Sequence, residues 1–214
     1  LVKYEKARKL QFHYDEIKDS YMKDTESDSD TNRQLATVLY LIDHFGIRVG
    51  NEKKEDTADT VGASTLKVEN INLEEKDVIV LDFLGKDSVR FFKKLEVPNI
   101  IYNNFKKFIK GKKGSSLIFD RIDSSDINNY LKKIDKSFSA KVFRTRLAST
   151  IMYEELKNLK IPKDSAKSKI KILFNKANAA VADVLNHVKG VSKKAQESAD
   201  GLNEKLKELK KERK

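Results

Sequence analysis

The sequence predicts an α+β chain, mainly α-helical, with a small three-stranded antiparallel sheet set between two groups of helices. Three observations predict it. Apolar residues recur at intervals of three and four through the first 45 positions. They change to a period of two between positions 65 and 97, then return to the helical interval after Pro98.

The elements follow in order. In residues 3–22 the apolar positions Tyr4, Ala7, Leu10, Tyr14, Ile17 and Tyr21 predict one helix. The acidic TESDSD stretch (25–30) is a loop or helix start. Residues 31–45 predict a stronger helix, with Leu35, Val38, Leu39, Ile42 and Phe45 on one face. Gly46 ends it and Gly50 follows closely. Strands are expected at 65–71, 78–84 and 88–97; in the last, Val89, Phe91, Leu95 and Val97 alternate with polar partners. Gly85-Lys86-Asp87 joins the second and third as a hairpin loop. Helices are expected near 99–109, 125–135, 141–158 and 164–187, with a lysine- and glycine-rich loop at 110–116. Residues 193–214 hold no aromatic residue and thirteen charges, eight basic and five acidic, with a thin stripe of Leu202, Leu206 and Leu209. The expected organisation is a core over 1–190 and the start of a helical, coiled-coil-like linker over 191–214. Beginning at Leu1, the chain reads as a piece of a longer protein.

Composition narrows the function. A formal net charge of +11 points to a polyanionic partner, nucleic acid or an acidic membrane face; a basic protein without such a partner is the plainer alternative. No cysteine is present, so disulfides and thiolate metal sites are excluded, and His13, His44 and His187 are not at ligand spacing. No metal or cofactor is expected. No apolar run approaches the ~20 residues needed to span a bilayer, and no signal-peptide pattern opens the chain, so no membrane partner is expected. A Walker loop would need a glycine where Val80 stands, and GxGxxG, GxSxG and HExxH are missing.

What remains is a set of cations suited to a phosphodiester. Phosphoryl transfer builds negative charge on oxygen, and fixed cations stabilise it. Arginine offers a permanently charged donor fork, and lysine can also give up a proton. Arg48 lies in GIRVGNEK (46–53), Lys86 in FLGKDSVRFF (83–92), Arg144 in AKVFRTRLAS (140–149) and His187 in VLNHVKG (184–190). Singly, each has a plain reading: a surface arginine, a solubilising lysine at a hairpin tip, a histidine at the negative end of a helix dipole.

Their order and flanks carry more. Arg48, Gly50, Asn51, Glu52 and Lys53 form an R-x-G-N-E-K segment; TADTVG follows at 57–62, DFLGKDS at 82–88, FDR at 119–121, AKVFRT at 140–145 and an Asn186-His187 pair last. In these segments the chain resembles the type IB DNA topoisomerases of eukaryotes, whose catalytic core shares its chemistry with the tyrosine recombinases. The resemblance implies a mostly helical catalytic domain with a small antiparallel sheet and a helical linker. It implies an enzyme that nicks one DNA strand through a 3′-phosphotyrosyl link, relaxes supercoils and reseals, without ATP. Carried over, Arg48 and Arg144 bind the non-bridging oxygens, His187 donates a hydrogen bond to one of them, and Lys86 protonates the departing 5′ oxygen and touches a base edge. Lys53, Lys86, Asp87, Lys141, Thr145 and Asn186 become DNA contacts, and Asp87 matches a position near which camptothecin-type drugs bind in relatives. The implied compartment is nuclear, with a viral or organellar one as alternative.

The seven tyrosines, at 4, 14, 21, 40, 102, 130 and 153, all precede His187, whereas the family's nucleophile follows the histidine. The resemblance therefore implies that a tyrosine-bearing segment is supplied in cis beyond the linker or by a second subunit. A recombinase is the nearest rival, but recombinases favour H-x-x-R around the second arginine and this chain has Lys141 in that place. A non-catalytic duplex-binding module is the alternative from a different class, and a basic coiled-coil protein explains only residues 193–214. From the charge together with the resemblance, duplex binding is predicted to be sequence-tolerant and to weaken steeply with salt, each phosphate contact adding about −0.9 to the log–log slope. A titration flat between low and physiological ionic strength would count against it.

Overall fold

In the computed structural model the described residues are 1–50, 61–75, 77–157, 159 and 166–187. The first expected helix is two: α1 (Val2–Phe12) and α2 (Tyr14–Asp24), separated at His13 (φ −103, ψ 6). The spacing of Ala7, Leu10, Ile17 and Tyr21 runs through the break, so periodicity could not reveal it. Its physical reason is packing: α1 lies against α6 and α2 against α3, and two directions serve two partners. Helix α3 (Asp30–Phe45) is capped by Ser29 accepting from the Asn32 N–H, and closed by Gly46 in the left-handed region (φ 61). The sequence marks one apolar face; the structure buries every residue from 34 to 43. α3 is the central helix of the core.

Strands β1 (Ile71–Glu74), β2 (Val78–Leu84) and β3 (Arg90–Glu96) form an antiparallel sheet in that order. Ile79, Leu81, Phe83 and Phe91 face the core, and Phe83 stacks on its register partner Phe91 at 4.9 Å between ring centres. The strand expected at 65–71 is instead two 3-10 turns, Ala63–Thr65 and Val68–Asn70, with β1 starting only at Ile71. Side chains account for this: Thr65 Oγ1 accepts the Gly62 N–H and Asn70 Oδ1 the Lys67 N–H, so short polar groups hold turns where the period of two suggested a strand. The hairpin loop runs from Gly85 to Val89, closed by Gly85 N–H donating to Val89 O, and β3 begins at Arg90 rather than at 88.

The later helices agree with the sequence within a few residues: α4 (Asn99–Ile109), α5 (Ser124–Ile134), α6 (Ala140–Lys157) and α7 (Lys167–Val184). α5 starts with a capping box in which Asp123 accepts from the Ser125 and Asp126 N–H groups and Asp126 accepts from the Asp123 N–H. α7 ends at Val184, so His187 lies three residues beyond it. The linker expected over 191–214 lies outside the described residues. Among the described residues no helix is long and apolar enough to cross a membrane.

One charged cluster sits inside this core. Asp43 on α3 is fully buried and accepts hydrogen bonds from Tyr14 (2.8 Å) and Tyr21 (2.7 Å) through Oδ2. Its Oδ1 faces a guanidinium nitrogen of Arg146 on α6 at 3.7 Å, and that guanidinium lies 3.2 Å from the centre of the Tyr14 ring. Among the described residues Asp43 Oδ1 and Arg146 Nε have no hydrogen-bond partner, so the pair rests on charge at low dielectric and on ring stacking. Breaking such a pair strands a buried charge. Asp43→Ala is predicted to cost about 3–5 kcal/mol in urea unfolding, and Tyr21→Phe about 1 kcal/mol. A D43A midpoint equal to that of the parent chain would show that the cluster contributes nothing.

Candidate active site

Four segments converge at the C-terminal end of α3. Gly46 turns the chain out of the helix into the run 47–50, in which Ile47 is buried. This run is clamped along its length. Ala63 N–H donates to Arg48 O and Ser64 N–H to Val49 O, both at 2.7 Å, and the Ser64 hydroxyl donates to Val49 O as well. The two backbones are so close that a Cβ on Gly62 would lie 2.3 Å from Gly50 N and 2.7 Å from Arg48 O. Glycine at 62 therefore permits the approach that holds Arg48.

Arg144 projects from the start of α6. Its Nε donates to Gly46 O at 2.6 Å, and a terminal nitrogen to Leu185 O at 3.4 Å. Both acceptors are neutral carbonyls, so its charge stays available to the cleft. Burial, and then the nearby Arg48, push its pKa down to about 10. Lys86 is exposed in the β2–β3 loop, which is stiffened by Asp87 (φ 62) and Ser88 (φ 57) in the left-handed region. His187 follows a turn in which Asn186 (φ 52) donates from its side chain to Arg90 O. A terminal nitrogen of Arg48 lies 3.4 Å from His187 Nε2. Arginine only donates, so Nε2 accepts and the imidazole is neutral. Burial, then Arg144 and Arg48, hold the His187 pKa below its ordinary value.

Arg48, Lys86, Arg144 and His187 thus line one open cleft of about 850 Å³. Asp87 and Asn186 line it too; Lys141 and Thr145 lie on α6 outside its lining, Lys141 exposed and Thr145 donating to Lys141 O. Lys53 and most of the 57–62 segment fall outside the described residues. Sequence reasoning missed the far wall, formed by Asn175 and Asn178 of α7, whose only trace is an i, i+3 spacing that puts both amides on one face. None of the seven tyrosines lines the cleft. Tyr14 and Tyr21 are bonded to Asp43, and burial followed by that carboxylate raises both far above the usual phenol range; Tyr40 is pushed up to about 12 by the same two causes. Tyr102 donates to Glu74 O, and Tyr130 pairs with Ser20. Among the described residues no cluster of His, Asp and Glu has the arrangement of a metal site.

The clamp on Arg48 generates a prediction. Gly62→Ala forces two backbones apart and is predicted to cost about 1–3 kcal/mol in urea unfolding, the range for overpacking a tight site. It should also shift the ring resonances of His187, because Arg48 moves with the displaced backbone. A variant with the parent's midpoint and the parent's His187 spectrum would overturn this account.

Comparison with known proteins bears on the same residues. The chain matches, along residues 1–214, the family model described as eukaryotic DNA topoisomerase I, catalytic core. It is similar to the DNA topoisomerase 1 of Schizosaccharomyces pombe, 43% identical over 210 residues that cover 98% of this chain and 26% of that protein. It is similar to that of Caenorhabditis elegans, 41% identical over 98% of this chain and 28% of the relative, and to that of Homo sapiens, 39% identical over 95% and 27%. The chain spans about a quarter of the length of these curated relatives. Together with the match over its full length, this means that the chain belongs to the family of eukaryotic DNA topoisomerase I catalytic cores.

Proposed function

We propose that this chain supplies the phosphate-holding and proton-donating half of a nicking and resealing reaction on duplex DNA that relaxes supercoils without ATP or metal. The observation that supports this best is the cleft in which two guanidinium groups, an imidazole and a hairpin lysine face one volume. Burial, and then the nearby Arg48, disfavour the charge of Arg144, and a bound phosphodiester relieves both. In this reading a tyrosine from a further segment, in cis or on a second subunit, attacks phosphorus. The phenol gives up its proton to water, a tyrosyl O–P bond forms at the 3′ phosphate, the bond to the 5′ oxygen breaks, and Lys86 gives that oxygen a proton. Resealing reverses each step, and the phosphotyrosyl bond conserves the energy. Arg48 and Arg144 neutralise the non-bridging oxygens, whose charge is greatest in the transition state. His187 changes role on binding: the phosphate raises its pKa, Nε2 gains a proton and donates, and Arg48 is released toward the phosphate. Lys53, Asp87, Lys141, Thr145 and Asn186 contact the duplex around this centre. The compartment in this reading is the nucleus.

The test is relaxation of supercoiled plasmid with no added metal or nucleotide. The chain alone is expected to be inactive, and a tyrosine-bearing C-terminal segment from a relative, added in trans, is expected to restore relaxation. Arg144→Ala should then lower the rate by about 10²–10³, the usual loss of one charge-stabilising donor, while duplex affinity changes far less. Relaxation by the unsupplemented chain would move the nucleophile to one of the seven tyrosines, Tyr130 and Tyr153 first. Failure of every supplemented mixture, with duplex binding intact, would favour a DNA-binding module without catalysis.

A further inference from the structure

Strand β3 alternates cleanly except at one position. Phe91 and Val97 are buried and Leu95 packs against the core, while Arg90, Phe92, Lys94 and Glu96 are exposed. Lys93 shares the inward parity of Phe91, Leu95 and Val97, where a period of two asks for an apolar residue. A half-buried ammonium needs partners. Lys93 finds them at the end of α7: Nζ donates to Asp183 O at 2.9 Å and to Val184 O at 3.3 Å, and sits 5.7 Å from the centre of the Phe91 ring. Both carbonyls lie in the last turn of α7, at the negative end of its dipole, where an ammonium is favoured, and Asp183 O also accepts the Asn186 N–H.

The turn beyond α7 is tied to the same strand. Asn186 Nδ2 donates to Arg90 O at 3.1 Å, and His187 N–H donates back to Ala182 O at 2.7 Å. The residues just before His187 are therefore fastened to β3 at two points, three residues apart along the strand. β3 continues directly from the loop that carries Lys86.

We propose that Lys93 is a positioning residue for His187: by capping the last carbonyls of α7 it docks residues 185–187 on β3 and sets the distance from the imidazole to Arg48 and Arg144. The consequence for catalysis rests on the nicking reaction proposed above; the positioning does not. The charged groups facing His187 are Arg48 beyond α3, Arg144 on α6, and Lys86 and Asp87 on the hairpin, with Asp183 on its own helix. Burial, Arg144 and Arg48 hold its pKa down, and Lys93 is not among those causes. Asn186→Gly, which cuts the second tie to β3 and removes no charge, separates displacement of the ring from loss of a cation: it must raise the His187 midpoint as Lys93→Met does.

The experiment uses the full chain with ¹³C-labelled histidine, in which only His13, His44 and His187 contribute ring signals. In Lys93→Met, which keeps the apolar stem and removes the ammonium, the His187 midpoint is expected to rise toward the ordinary histidine value of 6.5 while His13 and His44 stay put. Lys93→Arg, which keeps a charged donor, should retain the parent midpoint. Should Lys93→Met fail to fold by circular dichroism, Asn186→Gly cuts the second tie while suiting the left-handed backbone, and must give the same upward shift. A His187 midpoint unchanged in the folded variant overturns the proposal. A second arm measures single-turnover cleavage with the added tyrosine segment: Lys93→Met should be slower by about 10- to 100-fold, the cost of an ångström-scale misplacement, at unchanged duplex affinity. If the parent chain does not cleave at all, the reading of the cleft as a nicking centre falls, and the histidine titration still decides the role of Lys93.

Discussion

The hydrogen bond from Arg144 Nε to the carbonyl of Gly46 joins the scaffold to the cleft. Gly46 is where α3 ends, and its left-handed backbone turns the carbonyl toward α6 while sending the chain on to Arg48. A Cβ there would meet Leu185 at 2.6 Å, so this one position also lets the turn before His187 pack close. Three of the four cationic or imidazole groups take their places from contacts within a few residues of it. Two residues further along α6, Arg146 reaches Asp43 on α3, which makes a second fastening between the same two helices. One tie ends on a neutral carbonyl beside the cleft, and the other on a carboxylate inside the core. Together they allow α6 neither to slide nor to rotate against α3 without losing both.

The cleft is costly to assemble. Arg144 is partly buried, lies near Arg48 and has neutral carbonyls as partners, so the folded chain holds like charges together with little local relief. The apolar core on α3, α4 and the inner face of the sheet offsets that cost. The same account explains the neutral His187. Burial disfavours a protonated imidazole first, and Arg144 and Arg48 then add to it, so the His187 pKa is lowered. As pH falls below the ordinary histidine value, the unfolded chain takes up that proton more readily than the folded one. His187 therefore subtracts stability on the acid side, from its unfolded pKa downward.

Much of the fold could be read in advance because the strongest periodicities belong to the most regular elements. α4, α5 and β2 lie within about a residue of the expected positions, and the three strands form the antiparallel sheet anticipated. What could not be read has local causes. The break at His13 leaves the apolar interval intact, and only the partners of α1 and α2 explain it. The turns over residues 63–70 come from Thr65 and Asn70 bonding nearby backbone, a choice that propensity does not reveal. In the cleft, Arg48, Lys86, Arg144 and His187 could be singled out because the segments around them are long and ordered like those of a known family. Asn175 and Asn178 had no such flank. Lys93 was visible as a missing apolar residue in the alternation of β3, yet its meaning required knowing where α7 ends. Asp43 lay unnoticed inside the strongest helical pattern, since nothing in the sequence says that a buried acid has two phenols and a guanidinium waiting.

The pairing of Arg48 with His187 spans 139 positions. During synthesis at about 5–20 residues per second, the histidine emerges roughly 7–28 s after the arginine. For that interval the nascent chain owns no cleft, since the turn that completes it arrives last among the described elements. Such a long-range closure also raises the contact order of the final step, which slows it. The positive charge arrives late as well, since residues 1–100 hold 16 basic and 20 acidic side chains and the remainder 28 and 13, so attraction to a polyanion and a geometry able to hold a phosphate are both acquired with the last helices.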